Sequence, residues 1–327
     1  SAFVALNQAY FMGLFFFIAG YFVPGALDRK GTWVFLRDRL IRLGIPLVLF
    51  CLLISPAIEG VKGMTEGWLP APLSRAILTR YRDLEFTPGP LWFLEGLLVF
   101  SAVYAFGRAA ATRVWPGRPD WQQQRPALTQ AGLLAGALAL TLATFAARIY
   151  YPLGAEWQHL QLGAFPQYVL LFAAGILAQR AGWLPEIAAP MRRSWSVVAI
   201  VGIVIWLPMM VAAGALDSLD PFLGGFTWQS LLYSAWESFF CVGMVIAFLT
   251  LFHGRFNRQG RLVAALAAGA YTVYIIHAPI IVFLTYPLRG VVLYPLLKWA
   301  LLVPVGVALC FAAAHLVRRL PLATRVL

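Results

Sequence analysis

Residues 195–213 read WSVVAIVGIVIWLPMMVAA. The run holds no ionisable side chain, and its length matches the roughly 20 apolar residues an α-helix needs to cross the hydrocarbon core of a bilayer. Arg192 and Arg193 precede it, and Asp217 and Asp220 follow it. An amphipathic surface helix repeats polar positions on one face. This run does not, so it reads as a membrane span with a basic end and an acidic end.

Working outward, the same pattern recurs along the whole chain. Further apolar runs lie at residues 6–24, 41–58, 91–107, 127–147, 164–180, 228–251, 265–285 and 291–317, giving nine predicted spans. Proline interrupts the last two at Pro279 and Pro304, and both spans are predicted to break there. The composition agrees: 61% of the 327 residues are hydrophobic and 12% are charged, with a mean hydropathy of +0.78. A soluble domain carries about 25% charged residues, and a soluble chain this apolar would lack polar surface to meet water. The predicted fold class is therefore all-α, a polytopic transmembrane helix bundle, forming one integral membrane domain over residues 1–327.

The net charge is +12. A nucleic-acid binder would concentrate such charge on a polar domain. No polar domain exists here, so nucleic acid is excluded as a partner and membrane lipid is expected. The cations sit in short connections: Arg29, Lys30, Arg37 and Arg39 between the first two spans, Arg108 to Arg125 after the third, Arg180, Arg192 and Arg193 around the sixth, and Arg255, Arg258 and Arg261 before the eighth. Arg318, Arg319 and Arg325 close the chain. The intervening connections carry few cations, although residues 59–89 mix Lys62, Arg75, Arg80 and Arg82 with Glu59, Glu66, Asp83 and Glu85. That segment leaves room for a short helix or a re-entrant segment, while Pro70, Pro72, Pro88 and Pro90 argue against regular structure throughout. Basic connections face the cytoplasm, which puts the 26–40 connection and the C-terminus inside and Ser1 outside. An outer start implies an additional helix ahead of Ser1, for ten spans in total with both ends inside.

Ionisable groups within spans are costly and tend to be functional. Glu95 lies one turn into the third span and shares a helix face with Trp92, three positions earlier. Glu237 lies mid-span between Trp236 and Ser238. His277 follows Tyr274 by three residues and precedes Pro279 by two. Each has two readings, a group that meets substrate or a group paired for packing with a neighbouring helix. The arginines Arg29, Arg37, Arg39 and Arg42 likewise read either as an orientation signal beside anionic lipid or as a phosphate site, because guanidinium forks hold phosphate oxygens well. Cys51, Cys241 and Cys310 each lie in an apolar run and read as small buried hydrophobes. His159, His253 and His315 read as solvated or interfacial, and no histidine pair has a metal-like spacing, so no metal is expected.

Four segments together resemble membrane acyltransferase family 3, a large group of mostly bacterial proteins. They are Phe15-Phe16-Phe17-Ile18-Ala19-Gly20-Tyr21-Phe22; the set Phe35, Arg39, Arg42 and Pro46; Leu91-Trp92-Phe93-Leu94; and Tyr271-Thr272-Val273-Tyr274-Ile275-Ile276-His277-Ala278-Pro279. The likeness is nearest the branch of glucan-modifying succinyltransferase-like proteins. It implies an O-acyltransferase that moves an acetyl or succinyl group from cytoplasmic acyl-CoA to a carbohydrate or lipid-linked acceptor at the outer face of a bacterial inner membrane, with acyl-CoA as co-substrate and no tightly bound cofactor. It implies that Arg39 and Arg42, with Arg37 assisting, face the CoA phosphates, that Glu95 lies on the acceptor side, and that His277 occupies the family's late Tyr-x-x-His position. It also implies a catalytic histidine in a first helix that would precede Ser1, so no residue of this sequence inherits that role. A transporter or flippase for a sugar- or lipid-linked substrate is the competing class, as is a non-catalytic remnant. No inverted repeat of the kind common in transporters is visible.

Overall fold

A computed structural model describes residues 2–69, 72–83, 86–115, 126–184, 187–256 and 260–321. Pro70, Glu85, Arg125, Arg258 and Arg325, all used above, lie outside the described residues. Among those described, every regular element is helical. Nine helices are long and apolar enough to cross a membrane: α1 Phe3–Lys30, α2 Thr32–Glu66, α3 Gly89–Val114, α4 Gln130–Tyr150, α5 Leu162–Ala181, α6 Ala189–Ala212, α7 Trp228–Arg255, α8 Arg261–Leu288 and α9 Pro295–Val317. Each contains the core of one predicted span.

Three expectations are corrected. The connection predicted over residues 26–40 shrinks to a turn at Gly31, because α1 stays helical through Lys30 and α2 starts at Thr32. Gly31 adopts φ 71°, a left-handed conformation open to glycine without strain, and its N–H caps the Leu27 carbonyl at 2.9 Å. In segment 59–89 the second span ends later than expected, since α2 continues to Glu66, while the short helix expected there lies at Leu73–Arg82. Finally, Pro279 and Pro304 do not break their spans, since both lie inside continuous helices, as do Pro24 and Pro208. In lipid an opened backbone finds no water to replace its lost bonds, so the helix persists around a proline that would end it in solution.

The chain divides into two compact units: residues 1–35 with 100–258, and residues 36–99 with 259–327. In the first, α1 lies against α5 with glycine on both sides of the contact. A Cβ at Gly20 would fall on the Phe172 carbonyl, and one at Gly175 on the Phe17 carbonyl. Small residues let two membrane helices approach backbone to backbone, where packing rather than water exclusion drives association. Phe16, in the first quoted segment, stacks on Tyr168 at 4.9 Å. On α6, Gly202 admits the Phe240 ring of α7 and its carbonyl accepts from the Trp236 indole N–H at 2.8 Å. The opposite side of α6 exposes Ile200, Val204 and Leu207, which suits an apolar outer solvent.

In the second unit α2 carries two widened, π-helical turns, Leu40–Gly44 and Phe50–Ile54. Both are followed within two residues by proline. Pro46 cannot donate to the Arg42 carbonyl four residues back, nor Pro56 to that of Leu52. Tyrosine hydroxyls fill both vacancies: Tyr271 donates to the Arg42 carbonyl and Tyr81 to the Leu52 carbonyl. The first joins α8 to α2, and the second anchors helix Leu73–Arg82 on α2.

Candidate functional site

Two clusters of polar groups lie inside the spans. The first is in the first unit. Arg148 directly follows the predicted run 127–147 but belongs to α4 and is fully buried. Its Nη2 meets the Glu237 carboxylate at 2.5 Å, its Nη1 donates to Ser234 Oγ at 3.3 Å, and its Nε donates to the Gly163 carbonyl at 3.3 Å. The guanidinium also lies over the Tyr233 ring, 5.6 Å from its centroid. The sequence packs this charge by local means: a glycine at 163 leaves room beside the Arg148 stem, and Glu237 and Ser234 share one face of α7 at three-residue spacing. An isolated buried ion would be prohibitively costly; here each charge satisfies the other. Glu237 is thus an ion-pair partner shielded from solvent.

A second pairing in this unit joins the ends of α1 and α5. Arg180 holds Asp28 through both guanidinium nitrogens and donates to the Tyr104 hydroxyl at 3.0 Å. Arg108 stands 3.9 Å from the same carboxylate. Arg29, the predicted donor-site residue one position on, is exposed at the last turn of α1.

The second cluster is in the second unit and gathers most of the predicted site. Arg39 is half-buried and Arg42 exposed, one turn apart on α2, and Tyr271 of α8 is near enough for the charges of both to act on it. Arg42 lies within the first widened turn, a local distortion frequent at functional sites. Arg37 is exposed, with Asp38 beside it at 3.8 Å. One turn along α8 from Tyr271, Tyr274 donates to the Pro90 carbonyl at 2.6 Å and sets its ring edge-on to Phe93 at 6.2 Å. The Tyr-Thr-x-Tyr stretch and the Pro-Leu-Trp-Phe stretch are thereby held side by side. Glu95, half-buried in the first turn of the helical part of α3, lies close enough to Cys51 of α2 for its charge to reach the thiol.

His277 completes the cluster. Its Nδ1 is 2.6 Å from the Tyr274 carbonyl. A carbonyl only accepts, so Nδ1 carries the proton, and in the neutral ring Nε2 is left with its lone pair. The ring stacks on Tyr274 at 6.0 Å and is only part-buried. Along α8, Tyr271 to His277 spans about 9 Å at helical rise. Two basic side chains, two phenols and an imidazole with an acceptor nitrogen therefore lie along one helix over a substrate-sized distance, with Glu95 on α3 beside α2. Among the described residues no three His, Cys, Asp or Glu side chains gather as a metal site.

The model for an acyltransferase domain, that of membrane acyltransferase family 3, matches residues 3–315. The chain belongs to this family. No curated protein and no solved structure gives a match. The match covers both units, so this is a multi-pass membrane acyltransferase. In it the quoted segments acquire physical roles: Gly20 permits the α1–α5 approach, Pro46 frees the carbonyl that Tyr271 occupies, and Pro90 offers its carbonyl to Tyr274.

Sequence reasoning missed Arg148 and the Asp28–Arg180–Tyr104 group. Two signals pointed to Arg148. It stands just before a connection, residues 149–161, that holds no Lys or Arg, and Glu237 needed an intramembrane partner of opposite sign.

Proposed function

We propose that this acyltransferase moves an acetyl or succinyl group from acyl-CoA to a hydroxyl of a carbohydrate or lipid-linked acceptor. The observation that carries the reading is the cluster on α8, where Arg39 and Arg42 stand beside Tyr271 and His277 follows within two turns. Arg39 and Arg42 take the CoA phosphates, since guanidinium forks suit phosphate oxygens and charge-assisted bonds are about twice as strong as neutral ones. Arg37 lies one turn before and adds charge. In this reading Nε2 of His277 is the base in place of the histidine that the family likeness implies: it accepts the acceptor's hydroxyl proton as the acceptor oxygen attacks the thioester carbonyl. The new C–O bond forms, the C–S bond breaks, and the departing thiolate takes up the proton to leave free CoA. A positioned base of this kind contributes typically 10²–10⁴-fold. Glu95 orients the acceptor by accepting a second hydroxyl proton in a hydrogen bond.

The donor enters from the cytoplasm and the acceptor from the outer face of a bacterial inner membrane, with the C-terminus cytoplasmic. The alternation of basic and cation-poor connections supports this orientation.

The test uses sealed membrane vesicles containing the protein, acyl-labelled acetyl-CoA or succinyl-CoA on one side, and a glucan acceptor on the other. Label made covalent on the acceptor, and released by mild alkali as expected for an ester, supports the reading. Accumulation of unmodified acceptor across the membrane without covalent label would establish transport instead.

A further inference from the structure

A second basic site, unused by the transfer chemistry above, lies where α6 begins and α7 ends. Arg192 and Arg193 stand in the first turns of α6 after Pro190, and Arg255 ends α7. All three are exposed and converge on one open cleft of about 530 Å³, whose walls include Ser196, Thr250 and Leu251. Among the described residues no carboxylate pairs with any of the three. The basic group that joins the ends of α1 and α5 is built differently, because Arg180 and Arg108 share Asp28.

The orientation rule explains why cations collect in a connection. It does not explain why cations from two different connections, on either side of two packed helices, line one hollow. Three guanidinium groups facing a common space repel one another unless an anion lies between them. A phosphate suits the site best: its oxygens meet several forked donors at once. Just along the helices from the arginines, Val197 and Ile200 of α6 and Leu251 and Phe252 of α7 expose large apolar side chains. A soluble phosphate gains nothing from that surface. A phospholipid does, because its headgroup meets the arginines while its acyl chains run along the apolar flank in the bilayer. Basic hollows between membrane helices are recognised lipid headgroup sites.

We propose that the cleft of Arg192, Arg193 and Arg255 holds the phosphate headgroup of an anionic phospholipid. The protein is reconstituted in phosphatidylcholine nanodiscs doped with phosphatidylglycerol, released, and the lipids that remain bound are counted by native mass spectrometry. Wild-type protein retains phosphatidylglycerol in preference to phosphatidylcholine. The triple variant R192Q/R193Q/R255Q loses that preference by about tenfold or more, as expected when charge-assisted contacts to a phosphate are removed. The variant R318Q/R319Q, altered at the basic end of α9, keeps it. Equal retention by wild type and triple variant overturns the proposal, and so does equal loss in R318Q/R319Q, which would make the effect one of bulk charge. Displacement of the lipid by millimolar inorganic phosphate also overturns it, in favour of a free-phosphate site. If the triple variant does not accumulate, R255Q alone is measured; a reduced preference supports the site, and an unchanged one refutes it.

Discussion

The pair Arg148–Glu237 and the group Arg39–Arg42–Tyr271–His277 are both polar clusters within membrane-spanning helices, yet they are built on opposite plans. In the first, both charges are buried, and the guanidinium spends its donors on a carboxylate, a hydroxyl and a carbonyl. In the second, the hydrogen bonds that fix the geometry come from backbone carbonyls and tyrosine hydroxyls, while Arg42 stays exposed and His277 keeps one nitrogen as an acceptor. A charge whose bonding capacity is used up by the protein is architecture. Arg42 is held through its own backbone carbonyl with its side chain exposed, as the proposed donor site requires.

The contrast breaks most visibly at Arg148. Replacing it with Ala leaves Glu237 buried and uncompensated, a loss of about 3–5 kcal/mol for a buried pair. The expected outcome is little monodisperse protein on fluorescence-detected size exclusion. The double variant R148M/E237L, which removes both charges, should recover most of the folded material. A double variant as poor as R148A would show that more than charge pairing is at stake.

Next in size is His277. As the base, H277Q should lower the transfer rate by about 10²–10⁴-fold with thermal unfolding in detergent nearly unchanged. A fall in melting temperature with normal turnover would return His277 to a packing role. R39Q/R42Q should come third, raising the KM for the acyl donor about tenfold or more through loss of charge-assisted contacts while the acceptor KM stays put. The smallest effect belongs to Tyr271. Y271F removes one hydroxyl bond to the Arg42 carbonyl, worth about 0.5–1.5 kcal/mol net, and should lower stability by that amount and donor affinity by a few-fold. No change in either would mean that the widened turn at Leu40–Gly44 holds without it.

The fold was largely legible, because span length and the all-round greasiness of segments such as 195–213 leave few alternatives once lipid is the solvent. Helix ends were not. Residues 26–40 looked like a connection since cations end an apolar run, but charged residues at a membrane surface remain helical, with water or their own side chains meeting the last carbonyls. The site was legible in part. Arg39, Arg42, Glu95 and His277 were singled out one by one, whereas the carbonyls that Pro46 and Pro56 free on α2 were not. That Tyr271 and Tyr81 fill those vacancies was hidden, because the pairs Arg42–Tyr271 and Leu52–Tyr81 depend on tertiary contact. Arg148 was passed over because the apolar count stopped one residue before it. Glu237, read with two possible roles, has the partner that the paired reading requires, 89 residues away in sequence.

The distinction between closed and open charge is tested most directly by acyl-CoA binding to purified, folded variants, measured with a non-hydrolysable thioether analogue of acetyl-CoA. The account predicts that R39Q/R42Q binds the analogue about tenfold or more weakly than wild type, whereas R148M/E237L binds it with wild-type affinity. Wild-type affinity in R39Q/R42Q, or a comparable loss in R148M/E237L, would contradict it.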